Sequence, residues 1–191
     1  MTLKNTITRY GSIAKFFHWT VAFAVIGLLI VGFIMGNVQD KALKMQIYNV
    51  HKLIGLAVLV LMLLRLVWRL INVQPGYPAA VPKWERKAAR GVHDLLYLAL
   101  IVMPLSGWMM STAAGRPPHL GSWLLAMPGI EVNKELAHYF NTLHGILAWI
   151  IPAVLIIHIA AAVKHHWFDK NEVLIRMLPF AKHPAEKNYS D

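Results

Sequence analysis

Four long apolar runs constrain the fold of this chain more than any other feature of its sequence. They cover about residues 16–36, 47–71, 92–110 and 139–163. A helix needs roughly 20 apolar residues to cross a bilayer core, and each run is about that long. We therefore predict an all-α integral membrane protein in which residues 1–191 form a single transmembrane four-helix bundle. Its helices are expected at about residues 13–36, 46–71, 88–111 and 137–165.

The composition agrees with a membrane protein and excludes several kinds of chemistry. The chain is 57% hydrophobic and only 15% charged, whereas soluble domains carry about 25% charged residues. It has no cysteine, which excludes disulfides, thiolate-held iron–sulfur clusters, thioether-attached haem and cysteine nucleophiles. The first apolar run is too long for a cleavable signal, and no small-residue cleavage site follows it.

The basic residues are distributed unevenly among the segments that join the apolar runs. Fourteen Lys and Arg residues lie in the N-terminal segment, around the loop after the second run, and in the C-terminal tail. Five lie in the other two loops. Because positive residues favour the cytoplasmic side, we predict that both termini and the middle loop are cytoplasmic. The net charge of +10 is thus explained by membrane topology, and nucleic acid is not expected as a partner.

Five histidines fall inside the apolar runs, and their predicted depths define two levels. His51 and His144 lie near the outer face, whereas His18, His93 and His158 lie near the inner face. An ionisable side chain within a membrane helix is costly, so it indicates a functional site by default. The sequence therefore predicts one histidine site near each side of the membrane.

The spacing of the two histidines in the fourth run indicates a pair of stacked cofactors. His144 and His158 are fourteen residues apart, which separates them by roughly 21 Å and leaves them within about 40° on one helix face. Cofactor sites in bundles use side chains from facing helices, and a haem iron takes axial nitrogens from both sides of its plane. We predict two haem groups, the outer one ligated by His51 and His144. His158 would ligate the inner one together with either His18 or His93.

Alternatives without haem fit the sequence less well. A proton relay or a metal transporter would usually add membrane carboxylates, but the four cores hold only Asp94, at a helix end. A zinc site would need ligands gathered at one point. Histidines that serve only packing remain the simplest alternative, and the shared helix face argues against it for His144 and His158.

Further candidate residues lie at the predicted inner interface, where His165, His166 and Trp167 form the stretch "HHW". His165 follows His158 by two turns on nearly the same face, so we predict a quinone or proton-delivery site there. A polar anchor at the lipid interface is the alternative. Basic residues could also pair with haem propionates, or serve only topology and lipid head-group contact. The candidates are Lys52 for the outer haem and Arg9, Arg65 and Arg69 for the inner haem.

The order and spacing of several stretches resemble the bacterial cytochrome b561 family of di-haem membrane cytochromes. These stretches are "RYGSIAKFFHW", "YNVHKLIGL", "LVWRL", "HDLLYLALIVMPLSGWMMSTAAGRP", "LHGILAWIIPAVLIIHIAAAVKHHWFDK" and "VLIRMLP". The resemblance covers nearly the whole chain and implies a multi-pass protein of the bacterial inner membrane. It implies two haem b groups, one with His18 and His158 as ligands and the other with His51 and His144.

The resemblance also implies a function in electron transport. We expect a respiratory oxidoreductase that moves electrons between a donor at the outer face and membrane ubiquinone, with superoxide as one candidate donor. The alternative is a cytochrome b anchor that conducts electrons for a separate dehydrogenase or hydrogenase and has no substrate of its own.

Overall fold

The computed structural model of the protein describes residues 2–179. Two of the tail lysines counted above, Lys182 and Lys187, lie outside the described residues. Four helices are each long and apolar enough to cross a membrane, which confirms the predicted number. They are α1 (Ser12–Ile34), α2 (Lys41–Ile71), α3 (Lys83–Ala113) and α4 (Lys134–Trp167), with a short 3₁₀ helix at Met35–Asn37. A two-stranded hairpin, β1 (His119–Leu120) and β2 (Trp123–Leu124), lies between α3 and α4.

All four helices begin earlier than their apolar runs, because polar residues extend them beyond the lipid-compatible core, and α3 begins at Lys83 rather than near residue 88. α2 begins at Lys41 rather than near residue 46, and the Asp40 carboxylate accepts a hydrogen bond from the backbone N–H of Leu43. α4 begins at Lys134 rather than near residue 137, and the Asn133 side chain accepts from Leu136 in the same way. Such caps satisfy backbone N–H groups that have no partner within the helix.

All four helices contribute to one apolar core at the middle of the bundle. Each helix supplies two of its buried residues, which are Val21, Val25, Val58, Met62, Ala99, Leu100, Leu147 and Ile151. In every helix these positions lie between the histidine levels predicted from sequence. The core therefore separates the two ends of the bundle by well-packed side chains.

Large apolar side chains also cover the outside of the bundle. Phe23 is 68% exposed and Trp149 is 71% exposed, an arrangement that suits contact with lipid. Phe33 of α1 lies against Trp149 of α4 with ring centroids 5.0 Å apart, so aromatic contact joins the first and last helices. The fold is thus consistent with a helical bundle whose outer surface faces the bilayer.

The end of the bundle that carries both chain termini, here the terminal end, is closed by three interlinked segments. Asn5 donates to the carbonyl of Val73 at 2.8 Å, and the backbone N–H of Gly76 donates to Ile7. Lys15 is buried and donates to the carbonyl of Leu178 at 2.9 Å. The N-terminal segment, the loop from α2 to α3 and the chain after α4 therefore form one cover.

The opposite end, here the hairpin end, is organised by the loop between α3 and α4. Asn49 of α2 donates to the carbonyl of His119 and accepts from its N–H, both at 2.9 Å. The Trp108 indole of α3 donates to the carbonyl of Leu125 at 2.7 Å. These bonds hold the hairpin against α2 and α3, close to the levels of His51 and His144.

Candidate functional site

Three partly buried histidines form a cluster at the terminal end of the bundle. The rings of His18 and His158 have centroids 6.2 Å apart, and those of His93 and His158 have centroids 5.2 Å apart. Both residues that the depth argument proposed as partners of His158 therefore lie beside it. The second pair meets edge to face, and its closer approach leaves less room between the rings than the first pair does.

Two arginines and an aromatic ring surround this cluster. The guanidinium of Arg65 lies 3.1 Å from Nδ1 of His18, and it also lies 5.3 Å from the ring centre of Tyr97. Arg69 covers the same Tyr97 ring at 4.8 Å and pairs with the Asp94 carboxylate at 3.1 Å. Arg65 and Arg69, two of the three basic residues predicted to pair with the propionates of the inner haem, thus lie around the terminal-end histidines.

The hairpin-end histidines are held differently. Nδ1 of His144 lies 3.1 Å from the carbonyl of Met103 and 3.1 Å from the hydroxyl of Ser106. His51 of α2 is the other histidine predicted for this end, and its Cε1 lies 3.5 Å from the position that a Cβ at Gly32 of α1 would occupy. Nδ1 of His51 is buried and has no hydrogen-bond partner among the described residues.

Two cavities lie toward the hairpin end, and the first of them opens beside His51. An apolar cavity of about 470 Å³ lies between α1 and α2, with His51, Phe23 and Gly27 among its lining residues. A second cavity of about 340 Å³ is lined in part by Lys52 and Arg116. The first offers apolar volume next to an imidazole, and the second offers positive charge.

The remaining propionate candidates have contacts within the protein. Lys52 donates to the carbonyl of Arg116 at 2.7 Å, which fixes the loop after α3 against α2. Arg9 lies in the N-terminal segment, where its backbone N–H donates to the Thr6 hydroxyl. Arg65 contacts His18 directly, and Arg69 pairs with Asp94 of α3, the helix that carries His93.

His165 is buried in a polar cluster at the terminal end of α3 and α4. Its Nε2 lies 3.4 Å from Glu85, and its Nδ1 lies 2.8 Å from Asp169. The Lys164 ammonium bridges both carboxylates, at 2.7 Å from Glu85 and 3.0 Å from Asp169. The hydrogen bond from Lys164 holds the pKa of the Asp169 carboxyl below its usual range. His165, Glu85 and Asp169 could hold a cation by spacing alone, but the Lys164 ammonium already compensates their charge.

The structure does not bring His166 or Trp167 into this cluster. His166 is partly buried and Trp167 is 69% exposed, as expected for an aromatic ring at the lipid interface. The sequence reasoning missed Glu85, which lies in the first turn of α3. It also missed Ser106, although a hydroxyl inside the stretch "MPLSGW" is a visible polar interruption of an apolar helix.

The fold and these clusters define a class of protein: a four-helix membrane bundle that carries histidines from facing helices at both of its ends. Comparison with known families agrees with that class. The family model described as prokaryotic cytochrome b561 matches residues 9–180. The chain belongs to the prokaryotic cytochrome b561 family, and it is a multi-pass electron-transfer protein of the bacterial inner membrane.

Individual relatives match over nearly their whole length. Cytochrome b561 homolog 2 of Escherichia coli (strain K12) is 33% identical over 93% of this chain and 95% of that protein. The probable superoxide oxidase CybB of Yersinia pestis is 31% identical over 90% of this chain and 96% of that protein. Cytochrome b561 homolog 1 of Escherichia coli (strain K12) is 25% identical over 92% of this chain and all of that protein. Family membership argues against the non-haem transporter that the histidines alone left open.

The residues present fit the b-type haem of this family. Metal–imidazole bonds of roughly 2 Å on two sides of one metal put the ring centroids about 6 Å apart. The 6.2 Å between His18 and His158 agrees with that spacing, whereas the 5.2 Å between His93 and His158 is too short. The buried Nδ1 of His51 has no hydrogen-bond partner among the described residues. Buried polar atoms are normally paired, so this ring is more consistent with a ligand than with a packing residue.

Proposed function

We propose that the protein is a di-haem cytochrome that carries electrons across the membrane, from a donor at the hairpin end to quinone near the terminal end. The observation that carries this proposal is the presence of histidines from different helices at both ends, with the apolar core between them. A bis-histidine haem relays single electrons and has no open position for oxygen. The protein's part is to hold each group, exclude water and supply protons.

The proposed axial ligands are His51 with His144 at the hairpin end and His18 with His158 at the terminal end. The first pair comes from α2 and α4, and the second comes from α1 and α4. α4 would thus contribute one ligand to each haem. The ring spacing of His18 and His158 supports the choice of His18 over His93. His93 would then pack against His158 without binding iron.

We further propose that Arg65 and Arg69 balance the propionate charge of the terminal-end haem. Arg65 is close to His18, and Arg69 is held beside it by Tyr97 and Asp94. Guanidinium groups bind carboxylates through paired hydrogen bonds, which is why arginine suits this task. Lys52, at the wall of the second cavity, is the corresponding candidate at the hairpin end, and Arg9 is a further candidate at the terminal end.

Quinone reduction needs protons, and the His165 cluster is the proposed place where they are supplied. Reduction of one ubiquinone to ubiquinol takes two electrons and two protons. His165 is buried between Glu85 and the more exposed Asp169, so the three groups form a path from the surface into the terminal end. His166 and the exposed Trp167 ring would contact the quinone from the lipid side.

The proposed donor at the hairpin end is a small anion or a redox partner. Superoxide is the first candidate because a 31% identical relative is named a probable superoxide oxidase. Each superoxide would give one electron as it becomes dioxygen, so two are consumed for each ubiquinol formed. Arg116 and Lys52 supply positive charge at the second cavity, which would draw an anion to this end. The orientation with both termini cytoplasmic belongs to the same proposal.

Spectra of the purified full chain test the ligand scheme. We expect two haem b per chain by pyridine haemochrome and loss of one haem in each of the four single variants. These are His18→Ala, His51→Ala, His144→Ala and His158→Ala. His93→Ala and the exposed control His119→Ala should keep both haems. Retention of both haems in His144→Ala or His158→Ala would refute the scheme, and haem loss in His93→Ala but not in His18→Ala would reverse the partner of His158.

A second experiment separates an enzyme from an electron conduit. Superoxide generated beside proteoliposomes should reduce the haems rapidly and form ubiquinol without any added protein. Glu85→Gln and His165→Gln should slow ubiquinol formation while haem spectra stay unchanged. Glu172→Gln, a carboxylate at the same end that pairs with Arg176, is the control. Haems that stay oxidised in superoxide, together with co-purification of a stoichiometric soluble subunit, would favour the conduit.

A further inference from the structure

We propose that α3 contains a preformed slot for the His144 ring, with Ser106 as a positioning residue that fixes the ring's tautomer. The slot consists of the Met103 carbonyl, the Ser106 hydroxyl and the bare Cα of Gly107. This inference rests on the proposed role of His144 as an iron ligand and adds how the protein prepares that ligand.

The contacts determine which ring nitrogen of His144 carries the hydrogen. The Met103 carbonyl can only accept, so its 3.1 Å contact requires a hydrogen on Nδ1. The Ser106 hydroxyl donates its own hydrogen to that carbonyl at 2.7 Å. Its lone pairs are therefore left to accept from the same Nδ1–H at 3.1 Å. In a neutral ring this arrangement leaves the lone pair on Nε2, the atom that would face a metal.

The fit of the ring against α3 depends on two small residues. Ser106 is only 1% exposed, so water cannot replace its hydroxyl. A Cβ at Gly107 would lie 3.0 Å from Cε1 and 3.2 Å from Nδ1 of His144, closer than an ordinary contact of roughly 3.5–4.0 Å between carbons. The absence of a side chain at residue 107 thus lets the ring reach both acceptors at once.

A second serine of α3, Ser111, resembles Ser106 in its burial and in its local hydrogen bond, so the two can be compared. Ser111 is 3% exposed and its hydroxyl donates to the carbonyl of Trp108 at 3.1 Å, three residues earlier. Ser106 makes the same local bond to Met103. Among residues 2–179, the Ser106 hydroxyl also contacts a histidine of another helix and the Ser111 hydroxyl does not, so Ser111 is a matched control for burial and for the local bond.

The slot should influence the electronic properties of the ligand. An N–H that donates strongly makes the imidazole a better electron donor, which favours the more oxidised metal. Removing one of the two acceptors should therefore favour reduction of the haem that His144 ligates. The haem at the other end, beyond the apolar core, should not respond.

The test is a redox titration of the purified full chain, followed optically and by electron paramagnetic resonance of the oxidised haems. Ser106→Ala should keep its haem and change the one-electron reduction equilibrium of one haem by roughly threefold to tenfold, where tenfold is about 59 mV. The haem that shifts should be the one missing from His144→Ala. Ser111→Ala should shift neither haem, and Ser106→Thr, which keeps the hydroxyl, should lie closer to the parent than Ser106→Ala does.

The outcomes separate this inference from the ligand scheme. Full haem content in His144→Ala would refute the ligation itself. If His144→Ala loses a haem but Ser106→Ala changes the equilibrium by less than about twofold, only the slot is refuted. Two other results would show that Ser106 serves only packing. The first is an equal shift of the reduction equilibrium in Ser106→Ala and Ser111→Ala. The second is a reduction equilibrium in Ser106→Thr that is no closer to the parent than that of Ser106→Ala.

Discussion

The close approach of Gly107 to His144 permits a quantitative prediction for the variant Gly107→Ala. The new methyl group would lie 3.0 Å from Cε1 of the ring. The ring must move by roughly 0.5–1 Å to restore an ordinary contact. Such a movement stretches the 3.1 Å bonds from Nδ1 to Met103 and Ser106 beyond good hydrogen-bond geometry. We therefore expect the haem ligated by His144 to be lost or to change its low-spin spectrum.

The same substitution has an opposing effect on the stability of the helix. Replacing glycine by alanine in a helix interior is favourable by about 1 kcal/mol, and losing one or two hydrogen bonds costs about 0.5–1.5 kcal/mol each. The net change in stability should therefore be small even though the haem is disturbed. A thermal melt of the haem-free protein and a haem-to-protein ratio measured side by side will separate the two effects.

Gly91→Ala is the control for this prediction because it lies in the same helix and has no atom within 4 Å of the new Cβ. It should keep both haems and gain the helix stabilisation alone. A Gly107→Ala protein with the haem content and spectrum of Gly91→Ala would show that the ring does not depend on the space at residue 107. The reasoning about the slot would then be wrong.

Three further outcomes concern the two ends of the bundle. Asn49→Ala removes both side-chain bonds to the hairpin, so amide exchange in residues 119–124 should accelerate by roughly tenfold, for a loss of about 1.4 kcal/mol. Lys15→Met removes the bond to the chain after α4, and limited proteolysis should then cut that chain sooner. Because Lys164 lowers the pKa of Asp169, its ion pair stabilises the fold above about pH 4 and is lost as the pH falls further. Asp169→Asn should abolish that part of the acid dependence of the melting temperature.

The sequence predicted the number of helices and the histidine levels because both follow from one-dimensional spacing. Apolar length determines where helices can cross a bilayer, and a fixed rise per residue converts chain position into depth. The helix ends were less predictable, because capping by Asp40 and Asn133 extends α2 and α4 through polar turns. Those turns carry no apolar signal.

Contacts between helices could not be predicted from spacing, since they depend on how each helix is rotated about its own axis. Depth alone placed His18 and His93 equally near His158, and only the packed rings differ in separation. In the same way, nothing in the chain order links Ser106 to His144, or Glu85 to His165. Each pair joins helices whose rotation is set by the core that they share.

The two bundle ends differ in how far they prepare their histidines for a metal. At the hairpin end, an acceptor-only carbonyl keeps hydrogen on Nδ1 of His144 and leaves Nε2 free to bind. At the terminal end, the Arg65 guanidinium can only donate, so its 3.1 Å contact makes Nδ1 of His18 the acceptor and leaves hydrogen on Nε2. Ligation through Nε2 of His18 therefore requires Arg65 to release that nitrogen, and a propionate is the anion that would draw a guanidinium away. Arg65→Met should then make the change of tautomer at His18 easier, but it should also weaken propionate binding. The free-energy cost of preparing a histidine to bind iron therefore falls mainly at the terminal end.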